Sequence, residues 1–373
     1  MKLDDRLSDS AKRAADAFMK GRIDRRRFLR ICAAAGVAPA ILAPQQLLAD
    51  DLPSKIVHAN WGGDAARCYG AVGTDFQAQS KIPLAIDGSG PTMGRIKQMV
   101  ETKNVVWDVF DNDLFYGLEL GRQGLLEPID YSIVQKSKIA NADKYALQYA
   151  VAGYWYSNAI AYDTTKTGGQ APNGWADFWD VKKYPGKRAT YKYCVGVLES
   201  ALMADGVAME SLYPLDIDRA LKKIKELKDH LVFWSGGAES QQMLVQGDVV
   251  MAQVWHNRAT VLERQTSGRI TWTWNQATIG PGGWAIPKGN PAGAEWANRW
   301  IAYMQDPKEQ LGVLDCMGFA PANGAAWDLE TEAQRRLDPT RPENAKLQVP
   351  IDEAFYADHY DEMLNRFTDL ISS

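Results

Sequence analysis

Lys55-Ile56-Val57-His58-Ala59-Asn60-Trp61-Gly62-Gly63-Asp64 is the stretch that decides how the chain is read. An apolar run that stops at a tryptophan and two glycines reads as a buried strand, a tight turn and then a helix, with free N–H groups beside the strand end. Moving outward, residues 82–87 form a second apolar run, and Thr92 stands where it can cap a helix carrying Met93, Ile96 and Val100 at helical spacing. Residues 105–110 supply a third strand. Strand, helix and strand in succession predict a parallel sheet with covering helices.

The same rhythm restarts beyond Tyr154. Residues 159–162 and 189–193 read as strands around a Gly168-Gly169 turn and the aromatic segment Trp175–Trp179. Asp218 is placed to cap a helix with Leu221, Ile224, Leu227 and Leu231 on one face. Residues 249–254 form a buried strand ending in Trp255-His256-Asn257-Arg258, and residues 284–287 a short strand stopped by Pro287. Two further helical patterns follow, one through Trp296, Trp300 and Met304, the other through Phe355, Tyr356, His359, Tyr360, Met363, Leu364 and Phe367. At 373 residues the chain exceeds one ordinary core, so an α/β protein of two lobes is expected.

Composition narrows the function classes. With 46% hydrophobic, 24% charged and 10% aromatic residues the chain is neither disordered nor a polytopic membrane protein. A net charge of -4, with no long basic run after the first thirty residues, argues against a nucleic-acid partner. The four cysteines (32, 68, 194 and 316) and four histidines show no metal-ligand spacing, so neither a metal nor another cofactor is expected.

The first 49 residues read as an export signal. Asp24-Arg25-Arg26-Arg27-Phe28-Leu29-Arg30 precedes an alanine-rich apolar stretch over 31–49, interrupted by Pro39 and Pro44 and thus too broken to span a membrane. This pattern resembles a twin-arginine leader, with cleavage expected after Ala49 and Ala43 as the alternative. Cys32 is then a small apolar residue of the leader, and the mature chain keeps three cysteines, at least one of them unpaired.

Across nearly all of the mature chain the residues resemble the periplasmic solute-binding proteins of ABC importers, in particular the spermidine/putrescine-binding group. The match is carried by Trp61, by Trp107-Asp108-Val109 leading to Asp113-Leu114-Phe115, by Gly121-Arg122-Gln123-Gly124-Leu125-Leu126-Glu127-Pro128-Ile129-Asp130, and by Trp175–Trp179. Gln246-Gly247-Asp248 before Trp255, then Ala285-Ile286-Pro287 and Gly318-Phe319-Ala320-Pro321-Ala322-Asn323, complete it. The resemblance implies a two-lobe periplasmic binding protein fold of type II, with a ligand enclosed between lobes joined by crossing strands. It assigns residues 52–157 and 284–325 to lobe one, and 158–283 and 326–373 to lobe two, with the C-terminal helix able to pack on either. It further implies a monomer that hands a small solute to a membrane permease in the periplasm.

Enzyme readings find little support. Gly280-Pro281-Gly282-Gly283-Trp284-Ala285 fits the dinucleotide-binding pattern formally, but Pro287 follows at once, so a hinge or cleft-lining turn is the better reading. Neither a phosphate-binding loop, a zinc-protease motif nor a nucleophile elbow occurs. No enzymatic activity is expected, with a secreted enzyme on the same fold as the alternative.

Trp61, Asp113, Phe115, Trp155, Tyr193, Trp255, Arg258 and Phe319 are the candidate ligand-binding residues, since they fall at strand ends or turns. The polyamine binders rely on carboxylates, and here Gly63, Lys192 with Tyr193, and Gly282 stand where that group has acids. Asp113 remains and Arg258 is added. A guanidinium for a carboxylate and an acid for an ammonium group describe a zwitterion such as an ω-amino acid. A polyamine is the alternative ligand, and a structural ion pair and a turn cap are the plainer roles for Arg258 and Asp113.

Export through the twin-arginine route should fail when Arg25 and Arg26 are both replaced by lysine, leaving precursor in the cytoplasm. Immunoblotting of periplasmic and cytoplasmic fractions checks this, and normal periplasmic accumulation of the double variant would refute it.

Overall fold

A computed structural model describes residues 52–373 together with Arg13, Ala14, Ala17, Ile23 and residues 25–34. It divides into two units, Met1–Ser54 and Lys55–Ser373. In the first, helix α1 (Arg25–Ala34) begins with the arginine cluster, and Phe28 and Cys32 are buried against Ala14. Both expected cleavage positions, Ala43 and Ala49, lie outside the described residues.

The second unit is built on one mixed sheet. Its first strands are β1 (Ile56–Ala59), β2 (Leu84–Asp87) and β3 (Val109–Asp113), β1 lying parallel to and between the other two. Short β4 (Leu126–Glu127) is followed by the long β5 (Val151–Asp163), then β6 (Arg188–Tyr191), β7 (Leu231–Trp234), β8 (Met251–Trp255), the 18-residue β9 (Ile270–Pro287), β10 (Ala320–Pro321) and β11 (Gln348–Pro350). The order across the sheet is β2-β1-β3-β9-β5-β8-β6-β7, with β10 on β5 and both β4 and β11 on β9. Each flank is a parallel α/β unit, and the antiparallel pair β5 and β9 joins them.

Continuity of that central pair is the main departure from the sequence reading, in which residues 159–162 and 284–287 stood as separate short strands. Gly280-Pro281-Gly282-Gly283 is extended backbone inside β9 rather than a turn. Its glycines serve close approach, because a Cβ on Gly282 would overlap the Tyr154 ring and one on Gly283 the backbone of Val151. The register of β5 on β9 shifts between Ala152 and Tyr154 and between Asn158 and Ile160, so the pair bends at two places.

The covering helices are α2 (Asp64–Ser80), α3 (Met93–Glu101), α4 (Leu114–Arg122), α5 (Val197–Ala204), α6 (Ile217–Leu227), α7 (Gly237–Gln246), α8 (His256–Gln265), α9 (Gly293–Met304), α10 (Pro307–Met317) and α11 (Glu353–Ser372). Asp216, not Asp218, caps α6, accepting from the Arg219 N–H at 3.0 Å. Thr92 occupies the cap of α3 without a side-chain hydrogen bond. The third strand begins at Val109 rather than at Val105, because the Trp107 indole N–H is drawn to Asp87 at 2.7 Å and the Asp108 carboxylate accepts from the backbone of Val57 and Ala292.

Buried histidines are structural. His58 Nδ1 accepts from the Trp300 indole at 3.1 Å, and burial pushes its pKa down to about 3. His256 Nδ1 accepts from Ser157 N at 2.9 Å while its Nε2 faces the Gly318 carbonyl at 2.7 Å, which fixes the neutral Nε2–H tautomer. His359 is exposed on α11 beside Phe355.

Helix α11 contacts both flanks. Tyr356 and Tyr360 pack on Phe115 of α4, while the Tyr356 hydroxyl donates to Glu199 of α5 at 2.9 Å and Phe367 meets Phe233 of β7.

Cys68 of α2 is bonded to Cys316 of α10 across a sequence separation of 248, leaving Cys194 buried and free. Closing so long a loop restricts the unfolded chain, a stabilisation of about 3–5 kcal/mol on the chain-entropy account. The Cys68→Ser/Cys316→Ser double variant should therefore melt several degrees lower by circular dichroism, and equal midpoints would show that the bond adds nothing.

Candidate ligand-binding site

Parallel strands deliver their C-terminal ends to one place. Trp61 follows β1, Asp111, Asn112 and Asp113 end β3, Tyr191 ends β6 with Tyr193 and Val195 just beyond, and Trp255 ends β8. Together with Ala65 of α2, Tyr116 of α4, Tyr154 and Tyr156 of β5, Arg258 of α8, Phe319, and Tyr360 of α11, they line a cavity of about 40 Å³. That is space for a few water-sized groups within aromatic walls.

Glycines shape the entrance. Gly62 and Gly63 turn the chain after Trp61 with φ of 67° and 57°, values that suit residues lacking a Cβ. Trp61 then lies against Trp255 with ring centroids 5.6 Å apart, Tyr191 meets Trp255 at 5.2 Å, and Tyr154 stacks on Phe319 at 4.0 Å. Such a box presents π faces to an ammonium group or covers a short methylene chain.

Charge within the box is sparsely paired. Arg258 is 1% exposed; its Nη2 donates to the Gly62 carbonyl at 3.0 Å, and Nη1 lies 3.8 Å from Asp64. Its Nε and Nη1 have no hydrogen-bond partner among the described residues. Gly237 at the start of α7 leaves space for this guanidinium, since a Cβ there would fall on Nε. Burial lowers the Arg258 pKa, and Asp64 and Asp111 oppose that shift.

Asp111 is also 1% exposed, and neither of its oxygens has a hydrogen-bond partner among the described residues. Desolvation pushes its pKa well above the ordinary range, against the pull of Arg258. Asp113 accepts a hydrogen bond from the Tyr156 hydroxyl. Its pKa is raised to about 6, by burial first and by Glu199 in addition, while the Tyr156 bond acts to lower it.

Six of the eight residues singled out in the sequence, Trp61, Asp113, Tyr193, Trp255, Arg258 and Phe319, lie together at this cavity. Phe115 does not; it turns into the core against Tyr356 and Tyr360, and its neighbour Tyr116 takes the cavity position. Trp155 is also elsewhere, because alternation along β5 sends Tyr154 and Tyr156 to the cavity and Trp155 to the opposite face, edge-on to Tyr145. Among the lining residues not foreseen are Asp111, Tyr154, Tyr156, Tyr191 and Tyr360. The period-two pairs Asp111/Asp113, Tyr154/Tyr156 and Tyr191/Tyr193 were the available signal, since residues two apart on a strand share a face. Tyr360 offered no such signal.

Residues 71–335 match the bacterial extracellular solute-binding protein family. The gamma-aminobutyric acid-binding protein of Pseudomonas aeruginosa is 31% identical over 284 residues, 74% of this chain and 78% of that protein. Among solved structures, a GABA receptor shares 32% identity with a TM-score of 0.75, covering 85% of this chain and 97% of that one. The agropinic acid complex of AgtB from A. tumefaciens R10 shares 27% identity with a TM-score of 0.80, over 86% and 99% of the two chains. The spermidine/putrescine-binding PotD of Streptococcus pneumoniae, at 17% identity and a TM-score of 0.64 over 85% of this chain and 99% of its own, shares the fold.

Removal of the Tyr156 hydroxyl by Tyr156→Phe should raise the Asp113 pKa further above about 6, because that bond stabilises the ionised form. Carboxyl ¹³C titration reads the shift, and an unchanged or lowered value would contradict the assigned bond.

Proposed function

The chain belongs to the bacterial extracellular solute-binding protein family, and we propose that it captures a small ω-amino acid, of the γ-aminobutyric acid type, for an ABC importer. The observation that carries this reading is the pairing of opposite charges in one aromatic cavity: Arg258 with two unpartnered nitrogens, and the acids Asp111 and Asp113 on β3. A guanidinium with open N–H groups receives a carboxylate through charge-assisted hydrogen bonds. The acids then face the ammonium end, and Trp61, Trp255 and Tyr191 cover the methylenes between. The relatives named for γ-aminobutyric acid point the same way.

Capture proceeds by closure of two lobes, 52–157 with 284–325 and 158–283 with 326–373, about the bends in β5 and β9. The Arg258 bond to Gly62 and the Gln241 bond to Asp64 at 3.1 Å link the two sides at the cavity mouth. The closed complex is what a membrane permease receives, and the solute leaves chemically unchanged. The family's export to the extracytoplasmic side accords with a twin-arginine leader over residues 1–49.

A polyamine remains the second reading, favoured by two acids in an aromatic box. Arg258 opposes it, since a diamine has nothing to offer a buried guanidinium. Calorimetric titration with γ-aminobutyric acid and with putrescine separates the two. Arg258→Ala should weaken the amino acid at least tenfold, by about 2–5 kcal/mol for a buried charge pair left open, and leave putrescine unaffected or improved. Tight putrescine binding by the wild type, with no affinity for the amino acid, would return the chain to the polyamine group.

A further inference from the structure

Asp111 and Asp113 lie on one face of β3, yet their surroundings differ. Asp113 already holds the Tyr156 hydroxyl. Among the described residues Asp111 holds nothing: both oxygens are buried without a donor, and no cationic group lies within ion-pair distance of it. Around it stand Tyr69 from α2, Asp113 on its own strand, Tyr154 from β5, Arg258 from α8, and, paired across the strands, Trp284 of β9. Arg258 is the single cation in that set. A bare carboxylate so enclosed is unfavourable unless it is protonated or a cation reaches it.

Resting on the reading of an amine ligand, we propose that Asp111 is the ammonium-receiving residue of the cavity and that it releases a proton to solvent as the amine binds. Before capture the group is the neutral acid, its carboxyl carrying the proton. On capture the ligand ammonium takes that proton's place, giving a carboxylate paired with R–NH₃⁺ and one free H⁺, so charge balances. A ligand carboxylate on Arg258 neutralises the one cation that had been favouring ionised Asp111, so the ammonium group itself has to stabilise the carboxylate it meets. Asp113, held by Tyr156, shapes the ammonium end as its neighbour.

Linkage then fixes the sign. Release of a proton on binding makes affinity rise with pH until the unliganded Asp111 has ionised, with up to about a tenfold change per pH unit below that point.

Calorimetry at pH 7 in buffers of different ionisation enthalpy counts the proton, with γ-aminobutyric acid and putrescine as probes. A group at about 6, such as Asp113, has mostly ionised at that pH and contributes little. The wild type should release close to one proton with whichever amine binds. Asp111→Asn should release none and bind at least tenfold more weakly, while Asp113→Asn keeps the release. No release by the wild type, or a release lost in Asp113→Asn and kept in Asp111→Asn, would overturn the assignment. Proton release with putrescine alone would uphold Asp111 and defeat the zwitterion reading. Failure of both amines to bind would overturn both.

Discussion

Antiparallel pairing of β5 with β9 is the constraint from which the rest follows. These strands run through the middle of the sheet, one parallel flank hydrogen-bonded to each. Every cavity residue is placed by its distance from this pair: β3 and β8 are its immediate neighbours, and Tyr154 and Tyr156 belong to it. The pair can be this close only because side chains are absent at Gly153, Gly282 and Gly283, where the indole of Trp284, the ring of Tyr154 and the backbone of Val151 occupy the space. Close packing therefore supplies the precision that a small cavity needs, and interiors of this density respond to a single added methyl group.

Within that frame the electrostatics are set by burial more than by pairing. Arg258, Asp111 and Asp113 line a space walled by aromatic rings, where water no longer screens them. An enclosed cation with two nitrogens, and an enclosed acid with two oxygens, that lack hydrogen-bond partners among the described residues make an interior suited to a ligand carrying both complementary charges. Rings contribute shape and exclusion of water, and the charged groups contribute selection.

Much of this was legible before the structure. Local strand-turn-helix patterns located the sheet's parallel flanks, and the rule that ligands gather at strand ends led to Trp61, Trp255 and Arg258. Reading failed where the cause was tertiary. Nothing local distinguishes a glycine in a turn from a glycine that makes room for Tyr154, so the continuity of β9 was missed. Phe115 and Tyr116 are adjacent aromatics on a helix, and only the arrival of α11 decides that the first is core and the second cavity wall. The acid at Asp111 was passed over although its spacing from Asp113 placed both on one face of a strand.

Strand β3 illustrates what this topology demands of a chain still being made. One edge of β3 is covered at once by β1, but the other is covered by β9, whose residues come more than 150 positions later. Until then the nascent sheet of β1, β2 and β3 presents an unpaired, apolar border that invites pairing with any other extended segment. The intervening flank, drawn largely from one continuous segment, is free to condense meanwhile. Synthesis is thus ordered so that the first-made flank of the sheet is the last to be finished.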